Sequence, residues 1–232
     1  MNKFDAAIMA FLSRFTHRSW IFDKFIDGMS GSDLFKGAAM VTFLWWLWFR
    51  KEEERNKKER PLILGTFLAG FLASLVSRVL ASLLPMRLRP LHNPNLLYKL
   101  PFGVMRAELE SMSSFPSDHA ALFFALTTGI FLISPSLGTW AALYALCFIC
   151  FPRIYTGLHY PSDILAGIGL GVGVGFLVIG NKILKKWVYE PTVKLSQKYP
   201  SFFYAGFFLL SFLIATLFYD VRTMGKYILS LL

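Results

Sequence analysis

The chain contains six apolar runs that are separated by short polar or charged segments. The runs cover about residues 34–49, 62–84, 119–133, 137–152, 163–181 and 201–219. A helix needs about 20 apolar residues to cross the hydrocarbon core of a bilayer, where it satisfies its own backbone hydrogen bonds. The pattern therefore predicts an all-α integral membrane protein with six transmembrane helices, two of them short.

The composition agrees with a lipid environment. Of the 232 residues, 55% are hydrophobic and 16% are charged, which is too apolar for an ordinary soluble domain. The net charge of +10 raises the question of nucleic-acid binding, but the basic residues lie in short clusters beside the apolar runs. We therefore predict a bilayer and a phosphate group as partners, and no nucleic acid.

Residues 4–28 have the pattern of an amphipathic helix that lies in the membrane interface. Apolar residues recur there at helical spacing with charges between them: Phe4, Ile8, Phe11, Leu12 and Phe15. The scattered charges argue against a cleavable signal peptide, so the first apolar run is expected to direct insertion. The predicted organisation is an interfacial helix over residues 1–30 and a six-span domain over residues 31–232.

The polar segments differ in charge from one side of the predicted bundle to the other. Arg50–Arg60, ended by Pro61, is typical of a solvated hairpin, and Lys182–Pro200 of a basic loop. These two segments carry six and five Lys or Arg, against four in Pro85–Ser117 on the opposite side. The positive-inside rule then makes the first side cytoplasmic. Basic residues in the N-terminal segment count against this choice, so the inverted orientation stays open.

Two further patterns indicate packing rather than chemistry. Gly167, Gly171 and Gly175 recur every four residues within one apolar run, which predicts a flat helix face for close packing. Cys147 and Cys150 form a C-x-x-C within another apolar run, which lacks the polar access that a redox or zinc site needs. We interpret both cysteines as buried packing residues.

Polar and ionisable residues form three clusters at the ends of predicted spans. The clusters are Arg89-Pro90; Phe115-Pro116-Ser117-Asp118-His119; and Arg153 with His159 and Asp163. Such groups are costly near hydrocarbon and indicate function by default, and parity places all three clusters on one side. Pro116 and Pro161, each followed by an acid, indicate two helix N-termini, whose free N–H groups suit a phosphate.

These three clusters and their spacing resemble the motifs of the type 2 phosphatidic acid phosphatase superfamily, which also contains the vanadium haloperoxidases. The resemblance covers about residues 60–180, with His159 six and Asp163 ten residues after Arg153. The Pro-Ser-Asp-His form of the second cluster is similar to the bacitracin-resistance type of undecaprenyl-diphosphatase. A six-span membrane phosphatase is what the resemblance implies.

The resemblance also implies a role for each residue of the clusters. His159 would attack phosphorus and form a phosphohistidine, and Asp163 would hold its other ring nitrogen or cap a helix. His119 would protonate the leaving oxygen and later activate water. The phosphate oxygens would be bound by Arg89, Arg153 and Ser117. A histidine nucleophile removes the need for a metal-bound hydroxide, so we expect no metal and no cofactor.

The chain departs from the superfamily pattern at several positions. The lysine that usually stands seven residues before the arginine of Arg89-Pro90 is replaced by Ser82. Arg78, Arg87 or Lys99 are candidates to supply the missing charge, and Arg87 is favoured as a phosphate-binding residue. Asp118 and Pro152 stand where glycine and serine are common. Outside the clusters, a solvated helical face is favoured over headgroup steering for three charged residues: Arg106, Glu108 and Glu110.

The leading functional hypothesis is hydrolysis of undecaprenyl diphosphate to undecaprenyl phosphate at the extracytoplasmic face of the plasma membrane. Phosphatidylglycerol phosphate, phosphatidic acid and lipid A remain alternative substrates, because sequence does not reveal the residues that select a headgroup. A haloperoxidase is disfavoured by the membrane character of the chain. A lipid transporter or phosphate-binding protein is the non-enzymatic alternative, and turnover would distinguish it. No obligatory protein partner is inferred.

Overall fold

The computed structural model describes residues 2–50, 53–96, 98–104 and 112–229, and the regular secondary structure in these ranges is helical. A 3-10 turn at Pro90–His92 lies in the connection between the fourth and fifth helices. The helices are α1 (Lys3–Leu12), α2 (Trp20–Gly31), α3 (Leu34–Trp48), α4 (Glu53–Leu83), α5 (Asp118–Ile133), α6 (Pro135–Tyr155), α7 (Pro161–Ile179), α8 (182–198), α9 (Pro200–Ala215) and α10 (Tyr219–Leu229).

All six predicted apolar runs form helices. Within the described residues, three helices are long and apolar enough to cross a membrane: the Lys58–Leu83 part of α4, α6 and α7. A fourth candidate is the pair Pro200–Ala215 and Tyr219–Gly225, which is bent by 77°. Helices α3 and α5 are apolar but shorter. The all-α class is thus confirmed, whereas six membrane crossings stay a prediction.

The N-terminal segment differs from the single amphipathic helix that was predicted. It forms two helices, α1 and α2, because the side chains of Asn2 and Ser19 each cap a separate helix start. Asp5 and Asp23 are fully buried, so both helices pack against the rest of the chain. The position of this segment in the membrane interface stays a prediction.

The predicted hairpin at Arg50–Arg60 is wrong over most of its length. Helix α4 begins at Glu53 and continues through Pro61. The Glu, Arg and Lys residues of this stretch have high helix propensity, so a run of charges here extends the helix beyond its apolar part. Residues 51 and 52 lie outside the described residues.

Helices α4, α5 and α7 pack against one another and form the centre of the fold. Helix α5 is buried over most of its length. The glycine face of α7 makes this packing possible. A Cβ atom on Gly167 would lie 2.5 Å from the backbone oxygen of Ser117, the residue before α5, and one on Gly171 would lie 2.3 Å from the backbone oxygen of Ala121. A Cβ atom on Gly175 would lie 2.8 Å from Thr128. The predicted flat face is confirmed, and it brings the start of α7 against the start of α5.

A substitution on this glycine face is expected to destabilise the protein. We expect Gly171→Ala to lower the free energy of unfolding by about 1–3 kcal/mol, because the new methyl group meets the backbone of α5. The matched control is Gly173→Ala on the opposite face, where nothing lies within 4 Å. It should leave stability unchanged or raise it by up to about 1 kcal/mol. Thermal unfolding of the two purified variants checks this, and equal midpoints would contradict it.

Candidate active site

Backbone hydrogen bonds join the three motif regions, which are far apart in sequence. The N–H of Ser117, before α5, donates to the carbonyl of Asp163 in the first turn of α7 over 3.2 Å. The N–H of Leu91, in the turn after Arg89, donates to the carbonyl of Gly157 over 3.0 Å. The two helix starts and the arginine turn therefore lie side by side, as parity predicted.

Between them lies a cavity of about 730 Å³. His119 and His159 both line it, together with Arg89 and Arg153. Residues of α2, α3 and α10 complete the wall, including Lys36. The sequence-distant histidines thus share one site that is large enough for a phosphate group.

His159 is almost fully buried, with 2% of its surface exposed. Its Nδ1 lies 2.8 Å from the carbonyl oxygen of Ser114 and 3.8 Å from Oδ2 of Asp163. A carbonyl only accepts hydrogen bonds, so Nδ1 carries the proton and the Nε2 lone pair is left for chemistry. Burial lowers the pKa of His159 below its ordinary value of 6.5, opposed by Asp163 and reinforced by Arg89. The imidazole is therefore neutral at pH 7.

The side chain of Asp163 caps the start of α7. Its Oδ2 accepts a 2.7 Å hydrogen bond from the N–H of Tyr160, and its Oδ1 contacts the guanidinium group of Arg87. This is the helix-capping arrangement that the sequence left open for Asp163. At 3.8 Å from Nδ1, the carboxylate is close to His159 without a hydrogen bond to it. Its role as the third member of a triad stays a prediction.

His119 is held by the acid that precedes it. Nδ1 lies 2.8 Å from Oδ1 of Asp118, whose other oxygen accepts a 2.9 Å bond from Arg78. Nε2 faces the guanidinium group of Arg153 and accepts a hydrogen bond from it. Asp118 thus orients His119. From the sequence, Asp118 is notable only as a departure from the superfamily pattern. An acid in the first turn directly before a histidine was the available signal.

Arg89 and Arg153 keep donors available for an anion. Arg89 is 5% exposed and donates through Nη1 to the carbonyl of Leu158 over 2.8 Å. Within the described part of the chain, the buried Nε atoms of both arginines have no hydrogen-bond partner. A guanidinium group has five N–H donors and both arginines line the cavity, which makes them candidates to bind an anion there.

Two residues predicted to bind phosphate have other partners. The side chain of Ser117 is buried and caps α5 by accepting a bond from the N–H of Ala120. Arg87 contacts Asp163 and donates to Asp5 over 2.6 Å. Neither Ser117 nor Arg87 is among the described residues that line the cavity. Phosphate binding by these two side chains stays a prediction, and Arg106, Glu108 and Glu110 lie outside the described residues.

A buried ionic cluster behind the site was not foreseen. Fully buried Asp5, on α1, accepts hydrogen bonds from the N–H and hydroxyl of Ser162 over 2.9 and 2.6 Å and from Arg87. It therefore ties α1 to the start of α7, where Asp163 lies. Nothing in the sequence distinguished Asp5 from the other scattered charges of the N-terminal segment.

Comparison with known proteins agrees with this geometry. The family model described as PAP2 superfamily matches residues 86–186, which contain all three motif clusters. These residues form a PAP2 superfamily domain. The resemblance drawn from the motifs is thus confirmed. The cavity is lined by residues of the PAP2 domain and by residues of the helices that precede and follow it in the sequence.

Three curated relatives are similar to part of this chain. The bacitracin transport permease protein BcrC of Bacillus licheniformis is 31% identical over 58% of this chain and 59% of its own length. A lipid A 4'-phosphatase of Porphyromonas gingivalis is 26% identical over 72% of this chain and 68% of its own. The undecaprenyl-diphosphatase BcrC of Bacillus subtilis is 28% identical over 38% of this chain and 49% of its own.

The fold is similar to that of a solved structure, the crystal structure of Aquifex aeolicus LpxE. The two share 21% identity and a TM-score of 0.51, over 75% of this chain and 94% of that one. This likeness concerns the fold alone. Together, the apolar helices and the PAP2 domain identify the chain as an integral membrane protein.

Proposed function

We propose that the protein hydrolyses a lipid phosphate through a phosphohistidine on His159. The observation that carries this proposal is the meeting of two imidazoles and two buried guanidinium groups in one cavity. The Nδ1 atom of His159 is held by a backbone carbonyl, which presents Nε2 as the nucleophile. Relatives named as a lipid A 4'-phosphatase and an undecaprenyl-diphosphatase support the reaction class.

The reaction has two steps. In the first, Nε2 of His159 bonds to phosphorus as the bond to the leaving oxygen breaks, and protonated His119 gives that oxygen its proton. In the second, neutral His119 takes a proton from water, the water oxygen bonds to phosphorus, and the phosphorus bond to Nε2 breaks. Arg89 and Arg153 offset the charge on the other phosphate oxygens. For this, Arg153 exchanges its contact with His119 for the phosphate.

Undecaprenyl diphosphate is the proposed substrate, with undecaprenyl phosphate and inorganic phosphate as products. Its support is the Pro-Ser-Asp-His motif and the similarity to an undecaprenyl-diphosphatase. Lipid A is the second candidate, because the lipid A 4'-phosphatase is matched over the larger share of this chain. Phosphatidylglycerol phosphate and phosphatidic acid belong in the same comparison. The Bacillus licheniformis relative is named a transport permease, so transport is the non-enzymatic alternative.

Phosphate release from a panel of lipid phosphates tests the proposal. Detergent-purified protein would be assayed with undecaprenyl diphosphate, lipid A, phosphatidylglycerol phosphate and phosphatidic acid, with and without a chelator. We expect turnover that chelator leaves unchanged, with the highest kcat/KM for undecaprenyl diphosphate. Binding without turnover of any lipid would favour a transporter. Faster turnover of lipid A than of undecaprenyl diphosphate would support the proposed reaction but make lipid A the substrate.

The site is proposed to face outward from the plasma membrane. The positive charge of the segment Lys182–Pro200, which was predicted as a loop but forms helix α8 over residues 182–198, supports this orientation through the positive-inside rule. In a background with both native cysteines replaced by serine, Asn95→Cys should react with an impermeant thiol reagent added to intact cells, and Ser136→Cys should not. Both positions are exposed. The reverse labelling pattern would invert the orientation.

The lowered pKa of His159 has a measurable consequence for activity. Because burial keeps the imidazole neutral, the acid limb of the kcat/KM profile should lie below about pH 6.5. Asp163→Asn removes the carboxylate that raises this pKa, so its acid limb should move to still lower pH. Initial rates between about pH 4 and pH 8 measure the acid limb of the wild type and that of Asp163→Asn. An acid limb at about pH 7 or above would contradict the prediction.

The lowered pKa of His159 also makes the free energy of unfolding depend on pH. Below about pH 6.5 the unfolded chain protonates His159 while the folded chain holds it neutral, so the folded state binds fewer protons. This group therefore favours unfolding progressively as the pH falls through its unfolded pKa, until the pH reaches the lower folded pKa.

A further inference from the structure

The superfamily pattern places a lysine where this chain has Ser82, and none of the three cations considered from sequence reaches the cavity wall. Ser82 is exposed and donates to the carbonyl of Val79 over 2.8 Å. Arg78 pairs with Asp118, and Arg87 with Asp5 and Asp163. Lys99 is exposed. Among the described residues that line the cavity, the Lys and Arg side chains are those of Lys36, Arg89 and Arg153.

Lys36 comes from a part of the sequence that the motifs do not include. It lies in the π-helical turn Leu34–Ala38 at the start of α3, before the apolar part of that helix. Only 5% of its surface is exposed. Lysine is rarely buried unless its charge is paired or used, and π-helical turns often occur at functional sites. Its position on the wall shared with His119 and Arg153 indicates a use.

We propose that Lys36 binds a phosphate oxygen of the substrate and supplies the positive charge that Ser82 cannot. This inference rests on the proposed phosphatase function and deepens it. The ammonium group donates to Oδ1 of Asp33 over 3.2 Å and to the carbonyl of Gly31 over 3.3 Å. Within the described residues these are its two acceptors, so one of its three N–H bonds is left for an anion.

The partner of Lys36 is suited to sharing it. The side chain of Asp33 is 47% exposed, and an ion pair with a solvated carboxylate contributes little net free energy. A phosphate group of about two negative charges in the same cavity, flanked by Arg89 and Arg153, would compete well for the ammonium. The lysine would then complete a set of three cations around the transferring phosphoryl group.

The competing explanation is that Lys36 only anchors the α2–α3 turn through Asp33. Two variants distinguish the explanations. Lys36→Met removes the ammonium group and with it the ion pair, whereas Asp33→Asn removes the ion pair and the carboxylate charge but keeps the ammonium group. We expect Lys36→Met to lower kcat/KM by about 10²- to 10³-fold, as loss of one transition-state donor does. Lys36→Arg should recover part of the loss. Asp33→Asn should stay within about threefold of wild type, and so should Lys182→Met, a control at an exposed lysine.

Binding of orthovanadate, a phosphate analogue, gives a readout independent of turnover. Titration calorimetry should show binding weakened by about tenfold or more in Lys36→Met, the loss of about one charge-assisted hydrogen bond, and unchanged in Asp33→Asn. Folding of each variant is checked by its thermal midpoint. A folded Lys36→Met variant with wild-type kinetics and vanadate affinity would overturn the inference, and so would equal losses in Lys36→Met and Asp33→Asn. Failure of the wild type to hydrolyse any lipid phosphate would instead overturn the proposed function, leaving vanadate affinity to decide on Lys36.

Discussion

His159→Asn is expected to lower kcat/KM for the lipid substrate by at least about 10⁴-fold, because it removes the atom that bonds to phosphorus. The asparagine amide is short and polar, so it can keep a hydrogen bond to the carbonyl of Ser114 and leave the buried site intact. Phosphate release under single-turnover and steady-state conditions measures the loss. The thermal midpoint of the variant shows whether it is folded.

His17→Asn is the matched control for this substitution. His17 is exposed and has a left-handed backbone conformation with φ of 62°, which asparagine tolerates well. Its ring stacks on Phe102, and neither of these two residues is among the described residues that line the cavity. This variant should keep wild-type kinetics. A folded His159→Asn variant within about tenfold of wild type, or about 1.4 kcal/mol in activation free energy, would refute the nucleophile assignment.

His119→Gln is expected to lower kcat for phosphatidic acid, whose leaving group is a strongly basic alkoxide, by about 10²- to 10⁴-fold, since both proton transfers pass through this imidazole. The effect should depend on the leaving group. With p-nitrophenyl phosphate the leaving oxygen needs no proton, so the first step should proceed while hydrolysis of the phosphohistidine is slowed.

Rapid-mixing measurements distinguish the two steps. In His119→Gln we expect a burst of p-nitrophenol equal to the concentration of enzyme, followed by slow turnover. Wild-type enzyme, in which His119 activates water, should show a smaller burst relative to its steady rate. Equal losses for both substrates without a burst would show that His119 does not act in the second step as proposed.

Much of the fold follows from the sequence because its determinants are local. Long apolar runs specify helices wherever they meet lipid or other helices, and all six runs are helical. The glycines of α7 at intervals of four define a close-packing face without reference to the partner helix. The helix starts at Asp118 and Pro161 follow from local capping chemistry. Pro116 itself precedes the cap residue Ser117 and lies outside α5.

What the sequence does not specify depends on contacts between distant segments. The partner of Nδ1 in His159 is the backbone carbonyl of Ser114. Every residue has a backbone carbonyl, so the sequence does not indicate which one accepts this hydrogen bond. Lys36 and Asp5 lie in segments that the motifs do not cover, and only the packing of α1 and α3 brings them to the site or behind it. The charges before Pro61 predict a loop where the structure has α4, because charge alone does not distinguish a solvated loop from an exposed helix.

Trapping the covalent intermediate tests the central claim most directly. The His119→Gln variant would be mixed with p-nitrophenyl phosphate, whose leaving oxygen needs no proton, quenched in alkali, which preserves phosphohistidine, and digested for mass spectrometry. We predict one phosphate per chain on His159, bonded to Nε2 because Nδ1 is held by Ser114. A variant that turns over slowly while carrying phosphate on no residue, or on a residue other than His159, would contradict this mechanism.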